Sequence, residues 1–228
     1  MITNHVWTFR TGIDPNELPV DLGTASSFAV LGGGAVTGSA PPTLITGNLG
    51  SVGALTGFTA LSTQVTGTTY APGGSVVPVQ ATTDLAIAYA DARDRALAPV
   101  TLLTNALIAA GPLPPGIYQS TPAITITSDI TLDAQNDEDA TFIFQVTGAL
   151  NTTAGKNMNL INGAKASNVF WQAAGAVNLA ATTVFYGTLL ANGAAILGAD
   201  ATIPGGRVLT KTTAITLNSA NIIASPAL

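Results

Sequence analysis

Very little in this chain could carry covalent or acid–base chemistry. His5 is the single histidine among 228 residues, and there is no cysteine. A Ser–His–Asp triad, a histidine-based metal site and a thiolate site therefore have no material. Asp133, Asp137, Glu138 and Asp139 form the one acidic cluster. Its oxygens would suit Ca²⁺, but the loop lacks the EF-hand spacing, and a solvated turn is the plainer reading. Paired carboxylates for glycoside hydrolysis would have to come from that cluster or from Asp129 and Asp200, and nothing in the pattern builds a cleft around them. The chain reads as non-enzymatic, with no cofactor and no resident metal.

Repetition of small residues is where the sequence is informative. An alanine, a branched aliphatic and a small polar residue recur at Ala35-Val36-Thr37, Ala54-Leu55-Thr56, Ala123-Ile124-Thr125, Ala149-Leu150-Asn151, Ala176-Val177-Asn178, Ala195-Ile196-Leu197 and Ala214-Ile215-Thr216. Three of the intervals are 19 residues, from Ala35 to Ala54, Ala176 to Ala195 and Ala195 to Ala214. The longer intervals of 26 and 27 residues around Ala149 fit one period plus a loop insertion. If the aliphatic residue points into a core, the alanine and the Thr or Asn on either side point out, because strand neighbours alternate faces. Stacked copies then present Thr37, Thr56, Thr125, Asn151, Asn178 and Thr216 as one column, with Leu197 as the departure from the polar rule. Thr213, Thr127, Thr153 and Asn218 lie within three residues of the same motif. Such an array of methyl, hydroxyl and amide groups suits a flat, periodic and uncharged target such as ice. The bland alternative is that Thr and Ala simply make good solenoid surface, Thr having high β propensity.

Two further apolar columns flank the motif. One runs about six residues before the alanine, at Ile117-Tyr118, Ile143-Phe144, Phe170-Trp171, Leu189-Leu190 and Val208-Leu209. The other follows about eight residues after it, at Thr131-Leu132, Val184-Phe185, Ile203 and Ile222-Ile223. Three short β segments per period, with Gly and Asn between them, describe a three-sided coil whose copies must stack to bury a core. One interval, from Ala54 to Ala123, breaks the rhythm and reads as a helix over about 82–98, with Thr82 or Thr83 as N-cap. Leu85, Ala88, Tyr89, Ala92, Ala96 and Leu97 fall on one face of it. That face is expected to lie over the first column, with Ile117, Ile143, Phe170, Leu189 and Val208 inward and Tyr118, Phe144, Trp171, Leu190 and Leu209 under the helix. A dimer interface is the competing use of the same patch. The domain reading is an N-terminal extension or cap over 1–19 and a single solenoid over 20–228.

Composition agrees with a folded but weakly charged molecule. Charged residues make up 8%, against roughly a quarter in ordinary domains, while hydrophobic residues reach 47%. A net charge of −5 and seven scattered Lys and Arg leave no basic patch for nucleic acid. The mean hydropathy of +0.44 comes from small aliphatics interrupted by Gly, Asn and Thr. No run of 18 apolar residues is present, so no membrane span is expected. The first twenty residues have no apolar core of a signal peptide.

The blocks "VDLGTASSFAVLGGGAVTGSAPPTLITGNLGS", "LPPGIYQS", "ITLDAQNDEDATFIFQV", "NVFWQ" and "GRVLT", in that order, resemble the microbial ice-binding proteins, with similarity running from about Val20 to Ile223. The resemblance implies a mostly β fold: a right-handed, three-faced, discontinuous β-solenoid with one long α-helix packed along one face. It also implies coils that do not stack in chain order, a secreted protein whose leader has been removed, thermal hysteresis and inhibition of ice recrystallisation. Some members carry a Thr-[Ala/Gly]-X-[Thr/Asn] repeat on the ice-binding face. Thr213-Ala214-Ile215-Thr216 and Thr56-Gly57-Phe58-Thr59 match it in full. Members differ in the face that engages ice, which leaves a third-strand column with Thr183, Thr202 and Asn221 open. The expected partner is the ice surface, engaged by a monomer; a carbohydrate-binding or adhesin module is the alternative, recognisable by exposed Trp171 and Tyr118.

Overall fold

The computed structural model describes residues 17–40, 42–58, 64–73, 75–96 and 101–226. Its strands are two to five residues long and all pair in parallel, forming a nine-stranded sheet, a seven-stranded sheet and an irregular third face. Short runs such as Phe142–Val146 and Val169–Ala173 are rich in aromatic and β-branched residues, which suit a pleated buried surface. Successive turns of the chain lay their strands on these faces, so no coil buries its inner side without a neighbour.

The stacking order departs from the chain order. Strand Phe28–Gly32 pairs with Arg207–Thr210 through Val30↔Val208 and Leu31↔Leu209, and on its other side with Asn48–Ser51. Coils formed by residues 28–56 thus sit on the C-terminal coil, and the chain then travels to the far end, where Thr101–Leu102 pairs with Gly116–Ser120. An 18-residue helix, α1 (Val77–Asp94), makes that journey along the nine-stranded face. At about 1.5 Å per residue it extends about 27 Å, the span of five or six coils.

Helix α1 starts five residues earlier than the sequence suggests. Pro78 lies in its first turn, where a fixed φ and a missing N–H cost nothing, and the side chains of Thr82 and Thr83 bond back to the Val79 carbonyl instead of capping. Ala81, Leu85, Ala88, Tyr89 and Ala92 are buried on the sheet; Ala96 is exposed, and Leu97 lies outside the described residues.

The pleat under α1 differs from the expected one at three coils. Ile117, Ile143 and Phe170 pack with the helix, whereas Tyr118, Phe144 and Trp171 point into the solenoid. Leu189 and Val208 are inward and Leu190 and Leu209 face the helix, as expected. The reason is register: Trp171 pairs with Leu189, so Phe170 stands beside Thr188 and not beside Leu189. The inward rings stack, with centroids 5.2 Å apart for Tyr118–Phe144 and 3.8 Å for Phe144–Trp171. Trp171 is fully buried, and its indole N–H donates to the Tyr186 carbonyl. Facing α1 instead are glutamines: Gln145 donates to the carbonyls of Ala92 and Arg95, and Gln172 donates to the Tyr89 hydroxyl at 2.7 Å.

Candidate functional site

The seven-stranded sheet is built from the Ala-aliphatic-polar motifs. Its strands run in the spatial order Leu55–Thr56, Val36–Gly38, Ile215–Leu217, Ala195–Leu197, Val177–Leu179, Leu150–Thr152 and Ile124–Ile126. Pairing in register makes Thr56, Thr37, Thr216, Ile196, Asn178, Asn151 and Thr125 one continuous outward column. At about 4.8 Å per strand the column is about 29 Å long. Beneath it Val36, Ile215, Ala195, Val177, Leu150 and Ile124 are buried.

A second column is entirely alanine. Val36, Ile215, Ala195, Val177, Leu150 and Ile124 donate their N–H groups to the carbonyls of Ala54, Ala35, Ala214, Ala194, Ala176 and Ala149, which sets those alanines and Ala123 in line. Ala54, Ala123 and Ala214 are exposed and the other four half-buried. A third column lies at the far ends of the strands, where Thr127, Thr153, Asn218 and Ser39 occupy corresponding positions; the amide N–H groups of Thr153, Asn218 and Ser39 donate to the carbonyls of Ile126, Leu197 and Leu217.

Side chains within the polar column hold one another. The Thr37 and Thr56 hydroxyls are 3.1 Å apart, and the Asn178 amide donates to Asn151 Oδ1 at 2.7 Å. Each such pair reduces the number of rotamers available to the surface before it meets a target. No face residue is titratable, so the face is neutral at any ordinary pH.

Two of the expected assignments change. Ala195 and Leu197 are fully buried, and Ile196, at 39% exposure, is the residue that interrupts the polar column. The shift traces to Gly193, which occupies the sharp corner before the face; a Cβ there would lie 2.4 Å from the Gly175 carbonyl carbon. With glycine required where this coil's corner passes the Gly175 backbone, Ala194 takes the alanine position, giving intervals of 18 and 20 residues to Ala176 and Ala214 in place of two nineteens. Thr213 occupies that same corner in its own coil, where its carbonyl accepts from Gly34 N–H and its hydroxyl is buried without a partner. It therefore offers no hydroxyl to the outside. The other nine expected residues (Thr37, Thr56, Thr125, Thr127, Asn151, Thr153, Asn178, Thr216 and Asn218) come together on this one face. Of the second full motif match, Thr56 stands in the column, Gly57 turns the chain at φ 80, Phe58 packs against the core and Thr59 lies outside the described residues.

Of the third-face column left open by the sequence, Thr202 is half-buried and the other two residues are buried. Thr183 is 1% exposed, within hydrogen-bond distance of the Thr152 hydroxyl, and Asn221 is fully buried, donating to the carbonyls of Gly198 and Ala201. The sheet of this third face is also broken, with Val184 joining the two halves by isolated bridges to Asn157 and Thr202. Among the described residues no cluster of His, Cys, Asp or Glu is placed to hold a metal ion, and no helix is long and apolar enough to cross a membrane. Asp133 Oδ1 accepts from the Gln135 N–H and the Asn162 amide, and Glu138 pairs with Lys165 at 2.7 Å, as in a solvated turn.

Sequence reasoning missed Asn105, which borders the face. It opens a short helix, α2 (Asn105–Ala110), capped by the Thr104 hydroxyl. The Thr-Asn pair before an Ala/Leu run is a recognisable helix start; nothing in the sequence pattern shows that Asn105 also reaches across to the sheet.

Residues 30–223 match the model of the family described as ice-binding-like. Over 222 residues the chain is 34% identical to the ice-binding protein of Flammulina populicola, covering 90% of this chain and 88% of that one. It is 34% identical over 209 residues to the ice-binding protein of Flavobacterium frigoris, covering 87% and 74%. The crystal structure of an ice-binding protein from an Antarctic biological consortium superposes with a TM-score of 0.81 at 30% identity, over 98% of this chain and 97% of that one. A three-faced solenoid with a discontinuous stacking order, a helix along one face and a flat Thr/Asn/Ala surface on another accompanies these matches, and the chain belongs to the ice-binding-like family.

Proposed function

We propose that this chain is a secreted, monomeric ice-binding protein that adsorbs to ice through the seven-stranded face. The observation that carries the reading is the in-register column from Thr56 to Thr125, lined by seven alanines. Methyl groups from Ala and Thr give water a surface against which to order, while the hydroxyl and amide groups join the ordered layer. A flat, neutral and pre-ordered surface of about 29 Å meets a lattice plane with little rearrangement. Adsorbed molecules pin the growth front, which must bulge between them. Curved ice is harder to extend, so growth stops below the melting point, and the same pinning slows recrystallisation.

A glycan-binding surface would need an exposed aromatic row. Trp171 and Tyr118, on the nine-stranded sheet, are 0% and 3% exposed, so their column offers none.

The test is thermal hysteresis of purified variants on single ice crystals. Thr125→Arg and Thr216→Arg place a hydrated charge on the column and are expected to remove most of the activity while circular dichroism stays unchanged. Asn159→Arg, on the exposed third face, is expected to retain it. Wild-type hysteresis in both face variants would move ice contact to another surface. Freely growing circular crystals from folded wild-type protein would end the ice reading itself.

A further inference from the structure

We propose that Asn105 is a positioning residue for the ice-contacting face: its side chain acts as one residue of a missing eighth strand, a role that rests on the assignment of ice contact to the seven-stranded sheet. Ile124–Ile126 is the last strand of that sheet, paired on one side only, with Leu150–Thr152. Ile124 N–H and Ile126 C=O bond toward that neighbour. Parallel pairing directs the intervening groups, Thr125 C=O and Thr127 N–H, the other way, toward the open edge. There a β-strand would present one N–H and one C=O from a single residue. Asn105 presents both from its amide: Nδ2 donates to Thr125 O at 2.9 Å, and Oδ1 accepts from Thr127 N at 3.3 Å.

The placement has three supports. Asn105 is held by α2, whose first turn is fixed by Thr104 and whose Ile108 is buried in the solenoid core. The residues it grips, Thr125 and Thr127, are exposed and belong to the polar columns of the face. An unpaired edge strand is otherwise free to fray or to pair with another chain. By satisfying the edge with a side chain, the molecule keeps the outer strand flat and in register with the rest of the face and leaves no template for a second copy.

The experiment compares Asn105→Ala, Thr125→Leu and the double variant, together with Asn105→Asp. Three quantities are read: thermal hysteresis, melting temperature and amide exchange at Thr127. Loss of one hydrogen bond is expected to speed exchange at Thr127 by roughly tenfold, with amides of Leu150–Thr152 unchanged. Hysteresis is expected to fall in Asn105→Ala to about the Thr125→Leu level, and the double variant to fall no further, because both act on one strand. Asn105→Asp keeps the acceptor for Thr127 but turns a carboxylate toward the Thr125 carbonyl, and is expected to lower hysteresis at least as far. Wild-type hysteresis in Asn105→Ala alongside a loss in Thr125→Leu overturns the positioning role. So does a loss that merely tracks melting temperature, or one that adds to that of Thr125→Leu. Full activity in both Thr125→Leu and Thr216→Arg overturns the face assignment instead, and the role of Asn105 with it.

Discussion

At Asn151 two chemistries meet in one side chain. Its Oδ1 accepts from Asn178 within the polar column, and Asn151-Thr152-Thr153 is the one Asn-X-Ser/Thr sequence in the chain with X other than proline. A glycan attached there would stand on the flat face, one strand in from its outer edge, and hold a lattice plane many ångströms away. Produced through a glycosylating secretory route, the protein is therefore expected to separate into two forms by mass. The unmodified form should show full hysteresis and the modified form almost none, at equal melting temperature. Equal hysteresis in both forms would show that Asn151 and its neighbours take no part in ice contact. The same residue also shows how far chemistry could be read without coordinates. Its place in the polar column follows from the motif alone, because strand alternation exposes every second side chain. Its locked rotamer does not, since the partner Asn178 is 27 positions away and only the register brings the two side chains together.

At the level of the elements, the columns were legible and their phase was not. Apolar pairs such as Ile143-Phe144 and Phe170-Trp171 announce a strand buried on both faces, and such strands read as continuous apolar runs. With both residues apolar, nothing local says which points inward. The choice falls to volume: the solenoid interior takes the larger rings of Phe144 and Trp171 in a stack, leaving Ile143 and Phe170 for the helix. Likewise "NGAAIL" fits the motif equally well in two phases, and the glycine required at the corner selects between them. Helix α1 was recognisable from its buried side, its start less so. Its energetic role is testable at Leu85, fully buried between α1 and the sheet. Leu85→Ala removes that side chain and leaves a cavity, at a cost of about 2–5 kcal/mol. For a chain of this size that lowers the melting temperature by roughly 4–20 °C. Hysteresis measured near 0 °C is expected to stay at the wild-type level, because α1 covers a different sheet from the face. A parallel loss of hysteresis in fully folded protein would mean that the helix shapes the face from behind.

Among the described residues, charge is kept off the contact face, and Asp84 shows it used where two elements meet. Asp84 joins α1 to the 3₁₀ turn Gly23–Ser27: Oδ2 accepts from the N–H and hydroxyl of Thr24 at 2.9 and 2.5 Å, and Oδ1 accepts from Gln80. Those bonds, the Thr24 hydroxyl foremost, hold its carboxyl below the ordinary value of 3.8. Glu138 and Asp94 are held low by Lys165 and Arg93 in the same way, although these exposed pairs are screened by solvent and contribute little. A carboxylate depressed in the folded state stabilises it above the unfolded value, and that contribution is lost as pH falls through the folded value. Stability is thus expected to be level in these groups from about pH 5 upward and to decline below about pH 4, with the decline shallower in Asp84→Asn. The face has no group that titrates, so hysteresis per folded molecule should not change over the same range. Urea unfolding and single-crystal hysteresis, followed together between pH 2.5 and 7, separate the two. Parallel decline of both curves in protein that circular dichroism shows to be folded would place an ionisable group in ice contact, and the neutral sheet would lose its claim to be the whole of the adsorbing surface.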